Sequence, residues 1–253
     1  MTGRAVSSPA DTSQRKAARI AGVLYLVITV AAIVAHFYVP SELIVPGDPA
    51  ATASNIKASE QLFRLGIASE FVVLLSEIVL SVILYGLFRS VNRTVSLTAA
   101  VSRLTMTTIH GMNLLNYFFV LLLLGGAGYS TLFTPDQVHA LVSLFLDAHS
   151  YGFTIGIAFL TIHVFALGYL IVKSGYVPRV LGVLFIAAGF GYLIDSFATL
   201  LLTNYETTPV YLALPIAVAE IAFPLWLLLK GVNVQAQDHG LSLRTPDAEG
   251  VGL

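Results

Sequence analysis

The chain has 253 residues, of which 57% are hydrophobic and only 11% are charged, whereas an average soluble domain carries about 25% charged residues. The charged residues collect between long apolar runs, which is the pattern of a polytopic membrane protein rather than of a soluble core. The formal net charge of −1 argues against a nucleic-acid partner, and the absence of cysteine excludes disulfides, thiolate nucleophiles and Cys-ligated metal sites.

A polar segment precedes the first apolar run. Residues 1–16 are small and polar and are expected to form a disordered cytoplasmic tail. The apolar run at about 18–38 is too long for the core of a typical signal peptide, so the sequence predicts a retained first membrane span. The loop that follows, 39–61, is broken by three prolines and contains an expected short surface helix at 50–57.

Five further spans are predicted from the later apolar runs. Each has about 20–30 residues, which at about 1.5 Å per residue crosses a hydrocarbon core of about 30 Å with some tilt. Their expected limits are about 63–89, 95–124, 149–173, 178–203 and 209–230. In the fourth span, Gly152 and Gly156 form a small-residue face that predicts close packing against a neighbouring helix.

The helical pattern around the fourth span is longer than one crossing requires. Thr134 and Pro135 have the form of a helix N-cap followed by proline in the first turn, and the pattern continues from there to Lys173. We therefore expect an interfacial amphipathic helix at about 135–147, followed by the separate fourth span. The predicted fold is an all-α polytopic membrane bundle of six transmembrane helices, with an extra interfacial helix before the fourth.

Basic residues indicate the orientation of the bundle. Lysine and arginine gather at the start of the chain, after spans two and four, and after span six, whereas the opposite loops offer only Lys57 and Arg64. The positive-inside rule then makes both termini cytoplasmic. The sequence predicts a multi-pass plasma-membrane protein with a six-helix domain at 17–231, between disordered cytoplasmic tails at 1–16 and 232–253.

Three blocks in the C-terminal half are distinctive. They read Lys173-Ser-Gly-Tyr-Val-Pro-Arg, Gly191-Tyr-Leu-Ile-Asp-Ser-Phe and Ala219-Glu-Ile-Ala-Phe-Pro-Leu-Trp. With these blocks, the chain resembles the bacterial integral membrane family catalogued as domain of unknown function 4386, over roughly residues 15–233. The resemblance implies a multi-helix bacterial membrane protein, and it brings with it no activity, substrate, cofactor or catalytic residue.

Ionisable side chains inside the spans are the best clue to function, because each costs about 2.5–3.5 kcal/mol at the centre of a bilayer and normally faces the bundle interior. Helical spacing places Glu70 and Glu77 on one face of span two. The same spacing places Arg103 and His110 on one face of span three. The candidate ligand- or ion-binding residues are Glu70, Glu77, His110, Asn113, His163, Asp195 and Glu220.

Position along the spans sorts the polar side chains into two layers. The layer expected near the midplane contains Glu77, His110, His163 and Glu220. The layer expected in the outer half contains Glu70, Asn113, Asn116, His149 and Asp195.

Three hypotheses fit these layers. The first is a non-enzymatic membrane protein whose polar cavity binds or transports a small ion or molecule. The second is an intramembrane metal-dependent hydrolase in which Glu77, His110 and His163 meet around one ion. In the third, a structural scaffold, the buried groups only pair helices, as Glu77 with His110 or Asp195 with His149. The sequence does not identify a catalytic residue or a cofactor, and the expected partners are the lipid bilayer and a small ligand or cation.

Overall fold

The structure, a computed structural model, describes residues 9–125, 128, 132–205 and 208–232. Over these residues the chain is all-α, as predicted, and the expected tail segments 1–8 and 233–253 lie outside the described residues. In chain order the elements are α1 (Pro9–Ile33), a π-helical turn (Val34–Tyr38), α2 (Val39–Leu43), α3 (Pro49–Ala58), α4 (Glu60–Phe88), α5 (Arg93–Asn113), α6 (Leu115–Leu124), α7 (Pro135–Ser174), α8 (Arg179–Leu201) and α9 (Val210–Leu229).

Six segments of the described chain are long and apolar enough to cross a membrane, which confirms the predicted six-span bundle. Two of them are compound, because α1 continues through the π-helical turn and α2 to Leu43, and α5 continues through Leu114 into α6. Large apolar side chains remain exposed on the outside of the bundle, and Val30, Leu75 and Leu214 are 64%, 64% and 59% exposed. Lipid chains would cover such a surface.

The first helix begins earlier than the sequence suggested. The segment 1–16 was expected to be disordered, but α1 already starts at Pro9. Proline is tolerated in the first turn of a helix, and the polar residues after it include no further proline or glycine before Gly22. Residues 9–16 are therefore the polar N-terminal turns of a long helix and not part of a disordered tail.

The expected separate interfacial helix at 135–147 is the main correction to the predicted fold. These residues form the first turns of α7, which is one continuous helix of 40 residues, capped at Thr134 by a capping box with Gln137. No glycine or proline occurs between Pro135 and Gly152 to interrupt it. Its apolar face is also buried, because Val142 packs into one cluster with residues of α3 and α6 instead of lying on the membrane surface.

Helix α7 is the centre of the bundle. It packs against α5 and α8. Helix α4 packs against both α5 and α1, and α9 packs against both α8 and α1. Helices α1 and α9 approach closely at Gly22, where an added Cβ would lie 2.9 Å from the carbonyl oxygen of Pro224. Two apolar clusters fill the interior, one including Phe88 and Phe223 and the other including Val120 and Val142. The spans also bury ionisable side chains, among them Glu70, Glu77, Arg103 and His163.

Candidate functional site

The first polar region, which we call the Arg103 network, consists of Tyr25, Glu77, Arg103 and His163. The guanidinium of Arg103 binds both carboxylate oxygens of Glu77, through Nε to Oε2 and through Nη2 to Oε1 at 2.9 Å. Its Nη1 donates to the Tyr25 hydroxyl at 3.1 Å and to Nε2 of His163 at 2.9 Å. Helices α1, α4, α5 and α7 are thus joined through one buried cation, whose charge is neutralised by a bidentate carboxylate.

His163 is held in one tautomer by its neighbours. Its Nδ1 lies 2.9 Å from the carbonyl oxygen of Ala99, which can only accept a hydrogen bond. The hydrogen therefore sits on Nδ1, and Nε2 accepts from Arg103. The backbone N–H of His163 also donates to the hydroxyl of Ser102 at 3.2 Å. Both ring nitrogens of this histidine, which is 1% exposed, are engaged with protein groups.

The second polar region, which we call the Glu70 cluster, consists of His36, Glu70, His110 and His149. Oε1 of Glu70 lies 3.1 Å from Nε2 of His149 and 3.9 Å from Nδ1 of His36. In the described part of the chain, no lysine or arginine forms an ion pair with Glu70. The ring of His149 stacks on the ring of Tyr117 with centroids 3.7 Å apart. The backbone carbonyl of His149 accepts a hydrogen bond from the side-chain amide of Asn113 at 2.8 Å. The partners of Glu70 are thus imidazoles, whereas the partner of Glu77 is a guanidinium.

The π-helical turn contributes His36 to this cluster. Such turns are rare and are frequently found at functional sites. The ring of Phe153 lies between two histidines, with its centroid 4.5 Å from that of His36 and 4.8 Å from that of His110. Nε2 of His110 donates to the carbonyl oxygen of Phe153 at 3.0 Å, since that oxygen can only accept. Phe153 thus connects His110 to His36, which lies beside Glu70.

Close approach of α5 and α7 makes these contacts possible. A Cβ added at Gly156 would lie 2.1 Å from Nε2 of His110, and one added at Gly152 would lie 2.1 Å from Oδ1 of Asn113. The predicted close packing of this glycine face is confirmed. The two glycines leave room for polar side chains of α5 to reach the backbone of α7.

The third region is a cleft of about 590 Å³ between α1, the π-helical turn, α7, α8 and α9. Most of its lining is apolar, with Phe37, Phe153, Ile157 and Ile216 among the contributors. Its polar lining groups are Thr29, Thr154, Tyr192, Asp195, Ser196, Thr208 and Glu220.

Two carboxylates line this cleft, and each accepts a hydrogen bond from a tyrosine. The Tyr192 hydroxyl donates to Oε1 of Glu220 at 3.1 Å, and the Tyr205 hydroxyl donates to Oδ1 of Asp195 at 2.6 Å. Tyr205 lies in the loop after α8, outside the spans, where loss of water contact and the bond to Asp195 raise its pKa to about 12. The hydroxyl of Ser196, 1% exposed, has no hydrogen-bond partner among the described residues.

The structure thus divides the predicted site residues among three places. Glu77 and His163 belong to the Arg103 network, and Asp195 and Glu220 belong to the cleft. The remaining three lie in or beside the Glu70 cluster, namely Glu70, His110 and Asn113.

Two specific pairings proposed from the sequence are wrong. Glu77 pairs with Arg103 and not with His110, and His149 pairs with Glu70 and not with Asp195. The suggested metal ligands Glu77, His110 and His163 also do not converge, because a guanidinium binds two of them and a backbone carbonyl binds the third. Among the described residues, no group of three or more His, Asp or Glu side chains has the arrangement of a metal site.

Several contributors are missing from the candidate residues identified in the sequence, among them His36, Tyr25, Tyr117 and Tyr205. His36 lies in an apolar run, and its ionisable ring is a signal that the spacing argument could have used. Tyr25, Tyr117 and Tyr205 carry no such signal, because tyrosines are common in membrane helices and at their ends.

The comparisons with known proteins concern the whole bundle. The family model described as Domain of unknown function (DUF4386) matches residues 20–231. The chain belongs to the DUF4386 family. A relative named "Uncharacterized protein" from Archaeoglobus fulgidus is 27% identical over 165 residues, which cover 64% of this chain and 80% of the relative. No solved structure matches the chain. Membership of DUF4386 agrees with the predicted family and with a multi-pass membrane bundle, and it assigns no activity.

Proposed function

We propose that this DUF4386 protein lies in the plasma membrane with both termini cytoplasmic, and that its cleft binds a small molecule with an apolar body and a cationic group. The proposed orientation rests on the lysines and arginines that flank the side of the bundle where the chain begins and ends. The proposed ligand rests on the two carboxylates, Asp195 and Glu220, that line an otherwise largely apolar cleft.

Charge balance is the main argument for a cationic ligand. Arg103 forms its salt bridge with Glu77, whereas the hydrogen bonds recorded to Asp195 and Glu220 come from neutral tyrosine hydroxyls, and Arg103 acts on Glu220 only as a more distant charge. Among the described residues that line the cleft, none is lysine or arginine. A carboxylate in a medium of low polarity is costly unless an opposite charge or a proton compensates it. An ammonium group in the cleft would supply that opposite charge.

The size and lining of the cleft agree with a small ligand. Binding sites for small molecules commonly measure about 300–1,000 Å³ and combine apolar walls with a few placed polar groups. This cleft, at about 590 Å³, falls inside that range. The free hydroxyl of Ser196 is a further group with which a ligand could form a hydrogen bond. Both a carrier and a sensor must bind their ligand, and the proposal is that the cleft binds such a ligand.

The Arg103 network favours a second, structural role for part of the polar interior. Its side chains satisfy one another and join four helices, so Glu77 and His163 have the contacts expected of groups that fix helix packing. The scaffold hypothesis therefore applies to this network, whereas the binding hypothesis applies to the cleft.

Binding of a permanently charged probe tests the proposal. Benzyltrimethylammonium and its uncharged isostere neopentylbenzene are titrated calorimetrically into the full chain in lipid nanodiscs, with empty nanodiscs subtracted. We expect the cation to bind more tightly. Glu220→Gln is expected to weaken cation binding by about tenfold or more, since a charge-assisted contact contributes about 1.5–3 kcal/mol.

Glu60→Gln is the matched control. Glu60 is an exposed carboxylate, with 43% of its side chain accessible, that pairs with Arg64 away from the cleft, so its substitution should leave both probes unaffected. Equal affinity of the wild-type chain for the two probes would contradict a cationic ligand. Unchanged cation binding in both Glu220→Gln and Asp195→Asn would also contradict the proposal, because neither carboxylate of the cleft would then contribute to binding of the cation.

A further inference from the structure

We infer that Glu70 and His149 form a proton-binding site inside the membrane domain, in which the two side chains hold one exchangeable proton between them. This site is separate from the cleft, and it does not depend on whether a ligand binds there. The proton comes from water and leaves to water, and it resides either on a carboxyl oxygen of Glu70 or on Nε2 of His149.

Burial gives the first reason. Glu70 is 5% exposed and His149 is 4% exposed. Nε2 of His149 forms a hydrogen bond with Oε2 of Glu70 at 3.4 Å and lies 3.1 Å from Oε1, which has no hydrogen-bond partner among the described residues. An ionised carboxylate without a counter-charge at this depth costs several kcal/mol. Both ways of placing one proton avoid that cost, because a neutral carboxyl beside a neutral imidazole and a carboxylate beside an imidazolium each have zero net charge. Removal of the proton leaves one uncompensated negative charge.

The absence of a fixed counter-ion gives the second reason. The titratable groups that face Glu70 are His36 from the π-helical turn, His110 from α5, Tyr117 from α6 and His149 from α7. None of these carries a permanent positive charge, whereas Arg103 remains charged at any pH that the protein would meet. Among the described groups around Glu70, it is therefore a proton, on Glu70 itself or on a histidine, that can remove the uncompensated charge.

The surroundings also provide a path for the proton. Nδ1 of His36 lies 3.9 Å from the same Oε1, and the His36 side chain is 20% exposed, compared with 6% for the Glu70 side chain. The neighbouring Phe37 lines the cleft, and so does Phe153, which packs on His36. His36 thus contacts both Glu70 and a residue of the cleft wall, and it is the group that we expect to pass a proton between them.

Two spectroscopic readouts locate the proton in either position. The full chain is placed in lipid nanodiscs at neutral pH. Nitrogen NMR of labelled histidine, assigned through a His149→Gln variant, distinguishes imidazolium from neutral imidazole, and infrared spectroscopy detects a protonated carboxyl. We expect the wild-type chain to show one of two signals, an imidazolium at His149 or a protonated carboxyl that disappears in Glu70→Gln.

In Glu70→Gln, whichever of the two signals the wild-type chain shows should be lost. The number of protons that the chain releases when the pH is raised should also fall by one. Glu60→Gln, which changes an exposed carboxylate, should keep the wild-type spectra. A neutral His149 together with an ionised Glu70 in the wild-type chain would overturn the proposal. An imidazolium at His149 that persists in Glu70→Gln would also overturn it, because His149 would then carry its charge without Glu70.

Discussion

The two buried glutamates of α4 have the same burial but different partners. Glu70 and Glu77 lie seven residues apart on one face of the helix and are 5% and 4% exposed. Glu77 is bound by a guanidinium that is always charged, whereas Glu70 faces imidazoles that can gain or lose a proton. Burial and spacing are therefore the same for the two carboxylates, and the difference between them lies in whether the partner carries a fixed charge or can gain and lose a proton.

The difference follows from how α4 and α5 pair. The two helices are consecutive spans, so they run in opposite directions. A step of seven residues toward the start of α4, from Glu77 to Glu70, corresponds to a step of seven residues toward the end of α5, from Arg103 to His110. The same face of α5 thus presents a fixed cation at one level and a histidine at the next. This comparison leads to the predictions below.

Removal of Arg103 should have the largest effect on stability. Arg103→Met leaves Glu77 buried without a counter-charge and removes the hydrogen bonds to Tyr25 and His163. We expect the free energy of unfolding to fall by about 3–5 kcal/mol, as in other proteins that lose one partner of a buried ion pair. Denaturant unfolding in mixed micelles measures the change.

The double variant Glu77→Gln with Arg103→Met serves as the control, because it removes both charges. It should be more stable than Arg103→Met alone, since no unpaired charge is left buried. If the two variants lose the same stability, the network is held by packing and the ion pair makes no special contribution.

A bulkier residue at Gly156 should have an intermediate effect, and it tests the second region. An added Cβ would lie 2.1 Å from Nε2 of His110, so Gly156→Ala must displace that ring or separate α5 from α7. Overpacking of this kind costs about 1–3 kcal/mol. Gly86→Ala is the matched control, because this glycine of α4 has no atom within 4 Å of an added Cβ. Alanine there should be neutral or stabilising, by up to about 1 kcal/mol. Equal effects at the two positions would contradict the close contact of Gly156 with His110.

Most of the fold could be predicted from the sequence. The six apolar runs are long enough to cross a bilayer, and proline and glycine mark several of their ends, as at Pro135 and Gly175. The prediction was wrong at α7, where a helix much longer than a bilayer crossing was divided into two. The length of the helical pattern favoured a break, but the segment between Pro135 and Gly152 contains no glycine or proline that would interrupt a helix. The first turns of α7 are buried by α6, which directly precedes it in the chain, and by α3, which is distant in sequence.

The site could be predicted only in part. Helical spacing correctly placed Arg103 and His110 on one buried face of α5. It could not tell which helices are neighbours or at what level they meet, so Glu77 was paired with His110 instead of Arg103. The π-helical turn that brings His36 to Glu70 also leaves no clear pattern in the sequence.

Glu77→Gln and Glu70→Gln, compared at neutral pH, test the central claim most directly. The two changes are chemically identical and remove a buried carboxylate from the same face of α4. Glu77→Gln leaves Arg103 buried and unpaired, so it should lower the free energy of unfolding by about 3–5 kcal/mol. Glu70→Gln leaves only neutral imidazoles and can still form a hydrogen bond with His149, so it should cost no more than about 1.5 kcal/mol. Equal losses in the two variants, or a larger loss for Glu70→Gln, would contradict the distinction between a fixed ion pair and an exchangeable proton.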